Sequence, residues 1–332
     1  MTTLRQTWAS EEWRGRVQLW ISQVLPTFGL SQVGPLMSQH ITFWSTQLVV
    51  PTDQGKIWFK ENNPGQFAEA SIMAALADIV PDHVSPPLAI EPSKGWMLTF
   101  DHGATLSSLH SDDSDIWVRA LTDFADLQRS VVPHVDTLTT AGLVIMNPEV
   151  AANFVENQLL LHTGLPRAHP LHLAAADADH VLVQLPAVAE AVDVLRDVGV
   201  PLSLDHNDLH PGNAFLPGST TQPVRFFDFA DAYWAHPFSA LFVPMGMMCE
   251  QWKVTPADPR IQRVISAYLE HWTDFAELSE LRRALEPALQ LARVHRYGSW
   301  LRLFVYADDE SIALYGSTAL DYLANLSKPV LT

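Results

Sequence analysis

The segment between residues 202 and 228 constrains the fold most, because short apolar runs enclose a strongly polar loop. The run before loop 205–213 is typical of a strand, and the two runs after it predict a hairpin. That hairpin would return Asp228 to the side of the loop, near Asp208 and Asn213. We therefore expect these three oxygen-bearing side chains to converge on one place.

The residue types at this place indicate phosphoryl transfer. Asp208 is a carboxylate that can orient a hydroxyl and accept its proton. Asn213 and Asp228 supply the hard oxygen ligands that Mg²⁺ prefers. His206 and His210 favour a structural role, as hydrogen-bonding side chains that shape the loop. A polar turn without chemistry is the alternative interpretation of the whole segment.

The first hundred residues predict a small, strand-rich lobe. An N-terminal helix should follow Ser10 and stop at Pro26, and the run Phe67 to Val80 should form a second helix. Strands are predicted at 41–50, 56–60, 88–90 and 95–100, the first two as an antiparallel hairpin. The break at Asp101-His102-Gly103 suggests a domain boundary, with domains at 1–101 and 104–332.

Beyond that break the sequence becomes mainly helical. Helical spacing of apolar residues predicts helices at 115–131, 185–198, 259–275, 278–304 and 309–326. The fold class is therefore α+β, with a small antiparallel-sheet lobe followed by a larger helical lobe.

Lys60 and Glu69 form a second candidate pair. Lys60 lies at the end of a predicted strand, and Glu69 lies in the following helix. A strand lysine can neutralise nucleotide phosphates while a helix glutamate holds its ammonium group. The pair alone is weak evidence, and it gains weight from the 206–228 segment downstream.

The segment from His206 to Asn213, together with Asp228, resembles the catalytic and metal-binding loops of the aminoglycoside phosphotransferase and choline kinase-like family. The resemblance implies a bilobal protein-kinase-like fold, with ATP or GTP bound between the lobes. It places Lys60 on the phosphates with Glu69 as its partner, Asp208 as the base, and Asn213 and Asp228 on Mg²⁺. It also implies a nucleotide-binding hinge, which comprises Thr99, Phe100, Asp101 and Gly103.

Two departures from the family pattern stand out. The turn that should cover the nucleotide is not rich in glycine, and Gly29, Gly34 and Ser38-Gln39-His40 are its only candidates. After Asp228, the chain has Ala235-His236-Pro237 where Gly-Asp-Pro is frequent, and Ser239 where a further Asp is common. Because of the second departure, the sequence does not predict which residues hold the catalytic loop in place.

Composition narrows the range of partners and the cellular location. With 20 Lys+Arg against 37 Asp+Glu the net charge is −17, so nucleic acid and anionic membranes are poor partners. One cysteine, Cys249, excludes an internal disulfide framework. The sequence shows no signal-peptide pattern and no apolar stretch of membrane-spanning length, so we expect a cytoplasmic location. The oligomeric state is not predicted.

The acceptor is expected to be a small hydroxylated compound such as an amino sugar, aminoglycoside or amino alcohol. An acidic surface combined with aromatic residues would suit a cation. The candidate pocket residues lie in the helical lobe: Asp231, Tyr233, Glu250 and Trp300, with Trp234, Trp252 and Asp274 beside them.

Two other functions fit parts of the sequence. His206-Asn207-Asp208 matches the His-x-Asp pair of an iron-dependent oxygenase, and His295 next to Arg296 could complete its facial triad. That interpretation needs a strand-rich barrel. The other alternative is a catalytically silent, nucleotide-binding pseudokinase, against which the presence of Lys60, Asp208, Asn213 and Asp228 argues.

Overall fold

The computed structural model describes residues 2–108, 114–219 and 221–331. Its N-terminal part is built on a five-stranded antiparallel sheet of order β1-β2-β3-β5-β4. The strands are β1 Met37–Ile41, β2 Ser45–Thr52, β3 Gly55–Asn62, β4 Ala89–Glu91 and β5 Trp96–Phe100. Three helices accompany the sheet: α1 Leu4–Trp8, α2 Glu11–Val24 and α3 Glu69–Ile79.

The predicted N-terminal helix is confirmed as α2. The Ser10 hydroxyl accepts a hydrogen bond from the Trp13 amide, which satisfies one of the free donors at the helix start. Trp13, Val17 and Ile21 are buried against the sheet, where Trp13 meets the ring of Phe59 edge-on. These contacts bury the apolar stripe of α2 and fix its place on the lobe.

The predicted strand at 41–50 is wrong in one respect, because the chain turns at Thr42-Phe43-Trp44. The Thr42 amide donates to the carbonyl of Ser45, and the chain then returns antiparallel as β2. The β-branched and aromatic residues in this segment favour strand locally. Phe43 nevertheless leaves the sheet, because it is buried against aromatic side chains from the far end of the chain.

The remainder of the chain forms the larger, mainly helical lobe. Its helices are α4 Ser114–Val131, α5 Val135–Thr140, α6 Ala151–Gly164, α7 Ala175–Leu182, α8 Leu185–Val198, α9 Phe242–Trp252, α10 Pro259–Glu270, α11 Leu278–Phe304 and α12 Asp309–Ala324. The predictions at 185–198 and 278–304 are confirmed, whereas α10 ends before the predicted residue 275. Helices α5, α6, α7 and α9 were not predicted.

Within the described part of the helical lobe, five short strands position the polar loop. They are β6 Val144–Ile145, β7 Ser203–Asp205, β8 Ala214–Phe215, β9 Arg225–Phe226 and β10 Tyr233–Ala235. Strand β10 lies between β6, to which it is parallel, and β7, to which it is antiparallel. Strands β8 and β9 form the predicted hairpin and bring Asp228 back beside the loop.

The two lobes meet at several places besides the connecting segment after β5. That segment contains Gly103, whose φ of 86° lies in the region that favours glycine. On another side, the side-chain amide of Asn63 donates to the carbonyls of Phe43 and Leu303, both at 3.1 Å. Asn63 thus links the β1–β2 turn of the small lobe to α11 of the large lobe.

Within the described ranges, none of the helices combines the length and apolar character needed to cross a membrane.

Candidate functional site

The catalytic segment predicted from sequence starts at the end of β7. Asp205 is fully buried, and its Oδ1 accepts a hydrogen bond of 2.8 Å from the Asn207 amide. Asn207 has a φ of 59°, which is uncommon for a residue other than glycine. His206 donates from Nε2 to the carbonyl of Phe227 at 3.0 Å, and burial lowers the pKa of its imidazole. The loop is therefore held from both sides in a sharp turn that presents Asp208.

Asp208 lies at the open edge of this turn. Its carboxylate is partly exposed, with 30% of the side-chain surface accessible. Oδ1 forms an ion pair of 3.0 Å with Nη1 of Arg296, whereas Oδ2 faces Nε2 of His210 at 3.7 Å. Burial raises the pKa of Asp208, and the charge of Arg296 opposes that rise.

Asn213 and Asp228 lie close to Asp208, as predicted. The side-chain amide of Asn213 donates to the carbonyl of Asp208 at 3.0 Å, so its Oδ1 is directed away from that carbonyl. The backbone carbonyl of Asn213 accepts from the Phe227 amide at 3.1 Å, which joins the loop to the residue before Asp228. Asp228 itself has a φ of 64° and turns its carboxylate toward the cleft.

The donor chemistry of Asn213 and Asp228 fits Mg²⁺. One amide oxygen and one carboxylate match the small number of protein ligands that Mg²⁺ takes when phosphates and water complete its octahedron. Lys60 occupies one oxygen of Asp228 and leaves the second oxygen for a cation. These two residues could therefore hold the metal.

Lys60 connects the two lobes through its ammonium group. Nζ lies 2.7 Å from Oε2 of Glu69 and 2.8 Å from Oδ1 of Asp228. Glu69 is buried at the first turn of α3, and Asn62 also donates to its Oε2. Burial disfavours the charged form of Lys60, but Asp228 and Glu69 outweigh it and raise the pKa of the ammonium group. Lys60 is thus held as a cation between two carboxylates.

The predicted nucleotide-binding residues line one cavity of about 240 Å³ between the sheet and the β8–β9 hairpin. Lys60, Glu69, Thr99, Phe100, Asp101, Gly103 and Asp228 all contribute to its wall. Its apolar part includes Met73, Met97 and Phe227. An apolar cleft with a lysine and a carboxylate at one end suits a flat ring and a chain of phosphates.

The turn between β1 and β2 contains no glycine, and its residues Thr42, Phe43 and Trp44 do not line this cavity. The predicted candidates Gly29 and Gly34 lie before β1, while Ser38-Gln39-His40 lies within that strand. The turn is anchored by Phe43, which is 2% exposed and packs on Trp300, Phe304 and Tyr315. Close aromatic packing between the lobes therefore holds this turn.

Asp231 and Tyr233, two predicted substrate residues, lie behind the catalytic loop. Oδ1 of Asp231 accepts hydrogen bonds from Gln66 at 2.8 Å and from Ser299. Tyr233 is buried in β10 under the guanidinium of Arg302, and it lines a second cavity of about 580 Å³ between β6, α6 and α11. Burial raises the pKa of Tyr233 to about 12, so its hydroxyl stays protonated.

The other predicted substrate residues are dispersed. Glu250 is exposed on α9 and lines neither of these two cavities. Trp300 stacks on Tyr315 with ring centroids 5.5 Å apart, and its other neighbours are Phe43 and Phe304. Asp274 is paired with Arg129, Trp252 lies under Arg260, and Trp234 is buried in β10. The structure does not bring these residues together with Asp208.

Helix α11 makes contacts with the predicted catalytic segment that the sequence did not reveal. His295 pairs with Asp205 at 2.8 Å, Arg296 pairs with Asp208, and the Ser239 hydroxyl donates to the carbonyl of Ala288 at 3.0 Å. The first two contacts hold Asp205 and Asp208 from α11, and the third joins Ser239 to the same helix. No local signal marks Arg296, because a single arginine in a long helix is usually solvated surface.

The alternative iron site is not assembled. His295 is committed to Asp205, and His206 donates to a backbone carbonyl. Over residues 2–108, 114–219 and 221–331, no group of three or more His, Cys, Asp or Glu side chains could hold a metal ion. The helical lobe also differs from the strand-rich barrel that an oxygenase of this kind needs.

Solved structures of small-molecule phosphotransferases share the fold. An ethanolamine kinase from Plasmodium vivax matches with a TM-score of 0.67 at 15% identity, covering 95% of this chain and 89% of that chain. A choline kinase from Cryptosporidium parvum matches with a TM-score of 0.61 at 13% identity, covering 95% of both chains. Aminoglycoside 2'-phosphotransferase-IIIa in its GDP complex matches with a TM-score of 0.60 at 14% identity, covering 94% and 98%.

These likenesses show that the chain has the bilobal protein-kinase-like fold, with a small antiparallel-sheet lobe and a larger helical lobe. No protein-family model matches the sequence, and a comparison with curated proteins found no match.

Proposed function

We propose that the protein is a small-molecule kinase, which transfers the γ-phosphoryl group of ATP or GTP to a hydroxyl of a small acceptor with the help of Mg²⁺. The observation that carries this proposal is the position of Lys60, whose ammonium group bridges Glu69 and Asp228 at one end of the cleft. This arrangement lies beside Asp208 and Asn213, so groups for phosphate, metal and hydroxyl adjoin one another.

Each residue has a role in that reaction. Lys60 contacts the nucleotide phosphates, and Glu69 keeps its ammonium group in place. Asn213 and Asp228 hold Mg²⁺, which when bound offsets phosphate charge. The segment from Thr99 to Gly103 binds the base at the junction of the lobes, where we place the boundary between domains 1–101 and 104–332.

Asp208 acts on the acceptor. It orients the acceptor hydroxyl and takes its proton as the oxygen bonds to the γ-phosphorus. The bond between that phosphorus and the bridging β–γ oxygen breaks, and the nucleoside diphosphate leaves. The partly exposed carboxylate at the open edge of the loop is accessible to such a hydroxyl.

The acceptor belongs to the amino alcohols, amino sugars, aminoglycosides or sugars. The net charge of −17 favours a cationic member of this group. Two of the similar solved structures are named as ethanolamine and choline kinases, and a third as an aminoglycoside phosphotransferase. Arg296 beside Asp208 offsets part of the local negative charge, so neutral and anionic alcohols belong in the test as well.

The experiment is a nucleotide-consumption screen with Mg-ATP and Mg-GTP over ethanolamine, choline, glucosamine, glucose, glycerol, glycerate and an aminoglycoside. We expect nucleoside diphosphate to appear together with a phosphorylated acceptor, identified by mass spectrometry. Turnover of neutral or anionic alcohols alone would reject a cationic acceptor. Nucleotide binding without turnover of any acceptor would favour the pseudokinase, and absence of nucleotide binding would reject both.

A further inference from the structure

Helix α11 contacts the catalytic segment through two adjacent residues, and one turn later it contacts Asp231 behind that segment. His295 pairs with Asp205, Arg296 with Asp208, and Ser299 donates to Asp231. All three residues lie after Pro287 in the 27-residue helix α11, and a helical segment is a stiffer support than a loop. The orientation of the catalytic loop is therefore set by a helix far away in sequence.

Arg296 makes the only one of these contacts that reaches the carboxylate predicted to act on the acceptor. Its Nη1 donates both to the backbone carbonyl of Asn207 and to Oδ1 of Asp208, the latter at 3.0 Å. The arginine side chain is 16% exposed, so water screens this pair less than a surface pair. One guanidinium nitrogen thus ties the carboxylate to its own loop backbone.

The two oxygens of Asp208 consequently differ. Oδ1 accepts a hydrogen bond from Arg296, whereas Oδ2 faces Nε2 of His210 at 3.7 Å, which is beyond hydrogen-bond distance. Nδ1 of His210 accepts from the Gly212 amide at 3.0 Å, so the imidazole is itself fixed by the loop. A free Asp208 side chain could rotate about its torsions, and this contact removes that freedom.

We propose that Arg296 is a positioning residue for the phosphoryl transfer, which holds Oδ1 of Asp208 so that Oδ2 faces the acceptor hydroxyl. The inference rests on the proposed function, because it assigns Oδ2 as the atom that takes the proton. Arg296 does not line the cavity of the predicted nucleotide site. It acts by fixing the geometry of Asp208.

The kinetic test uses Arg296→Gln, Arg296→Lys and Arg296→Ala with Mg-ATP and the fastest acceptor of the panel above. A small displacement of a reacting group can cost about 10²-fold in rate, so we expect kcat of the Gln variant to fall by roughly that factor. KM for Mg-ATP should change less than about 2-fold. Lysine should restore part of kcat, since it keeps the charge but lacks the guanidinium geometry. Guanidinium ion added to Arg296→Ala should also raise kcat.

The matched control is Arg283→Gln, which removes an exposed arginine of the same helix that pairs with Glu280 on the helix surface. It should leave kcat unchanged. A raised acceptor KM at unchanged kcat in Arg296→Gln would overturn the proposal, because it would make Arg296 an acceptor-binding residue. A loss of kcat that neither lysine nor guanidinium restores, with a lowered Tm, would show a purely structural role and overturn it too.

A crystal structure of Arg296→Gln separates this inference from the proposed function, because it needs no acceptor. We expect the Asp208 carboxylate to adopt another rotamer or to lose a single conformation, while Lys60, Glu69 and Asp228 stay in place. An unchanged Asp208 carboxylate would overturn the positioning role even if the protein is a kinase. A moved carboxylate in a protein that phosphorylates no acceptor would instead reject the function and leave the positioning contact supported.

Discussion

Replacing Lys60 by methionine tests the ion pairs that this largely buried lysine makes with Glu69 and Asp228. Its ammonium group lies 2.7 Å from Glu69 and 2.8 Å from Asp228, with side-chain exposures of 13%, 2% and 34%. Removing one partner of a buried ion pair leaves an uncompensated charge and costs about 3–5 kcal/mol. Because Asp228 is one-third exposed, water screens its interaction with Lys60 and lowers the cost of leaving this carboxylate unpaired. We therefore expect the free energy of unfolding to fall by about 3 kcal/mol.

A second substitution shows which interaction causes the loss of unfolding free energy in Lys60→Met. Without Lys60, the carboxylates of Glu69 and Asp228 face each other, and Glu69→Gln removes that repulsion. The double variant should therefore be at least as stable as Lys60→Met alone, with a coupling energy of about 1–3 kcal/mol. Lys56→Met is the matched control, since Lys56 lies on the same strand and is half exposed. It should cost less than about 1 kcal/mol.

The assay is urea unfolding followed by tryptophan fluorescence, repeated with Mg-ATP. Bound nucleotide should raise the unfolding midpoint of the wild type, because a ligand that binds only the folded state stabilises it. The Lys60→Met variant should lose most of that gain. Strictly additive effects of the two substitutions, or a nucleotide response equal to that of the wild type, would refute this account of Lys60.

Three further changes have defined outcomes. Asp228→Ala should weaken Mg-nucleotide binding, and calorimetry showing unchanged Mg²⁺ dependence would count against its assignment as a ligand. Phe43→Ala should lower the free energy of unfolding by about 3–5 kcal/mol in urea denaturation, since it removes a buried ring that packs on Phe304, and a loss below about 1 kcal/mol would contradict that packing. Burial lowers the pKa of His236 to about 3 from 6.5, so the neutral imidazole stabilises the fold at neutral pH, and stability should fall as the pH drops from 6.5 toward 3. The variant His236→Asn should lose less stability than the wild type over this pH range. If the variant and the wild type had the same pH profile of unfolding, the burial of His236 would not be the cause.

Sequence patterns predicted correctly those elements that depend on interactions between neighbouring residues. Helix α8 runs from Leu185 to Val198 as predicted, because apolar spacing, a proline in the first turn and Gly199 after the end all agree. The polar loop between β7 and β8 was equally predictable from its flanking apolar runs. Both cases need only neighbouring residues to define the element.

Contacts between distant residues account for what the sequence left open. The turn at Phe43 looks like the middle of a strand until its packing on α11 and α12 is known. Arg296 lies 88 residues after Asp208 and carries no pattern of its own. Glu250 and Trp300 were chosen by residue type, and residue type alone does not say which face of a helix meets the cleft.

Asp208→Asn gives the most direct test of the central claim, because asparagine keeps the size of the side chain but cannot take a proton from a hydroxyl. Turnover of the acceptor identified in the screen should fall by about 10²–10⁴-fold, while the affinity for Mg-nucleotide stays within about 2-fold of the wild type. Asp274→Asn, an exposed aspartate paired with Arg129, is the control and should keep full turnover. Wild-type turnover by Asp208→Asn would contradict the assignment of Asp208 as the base.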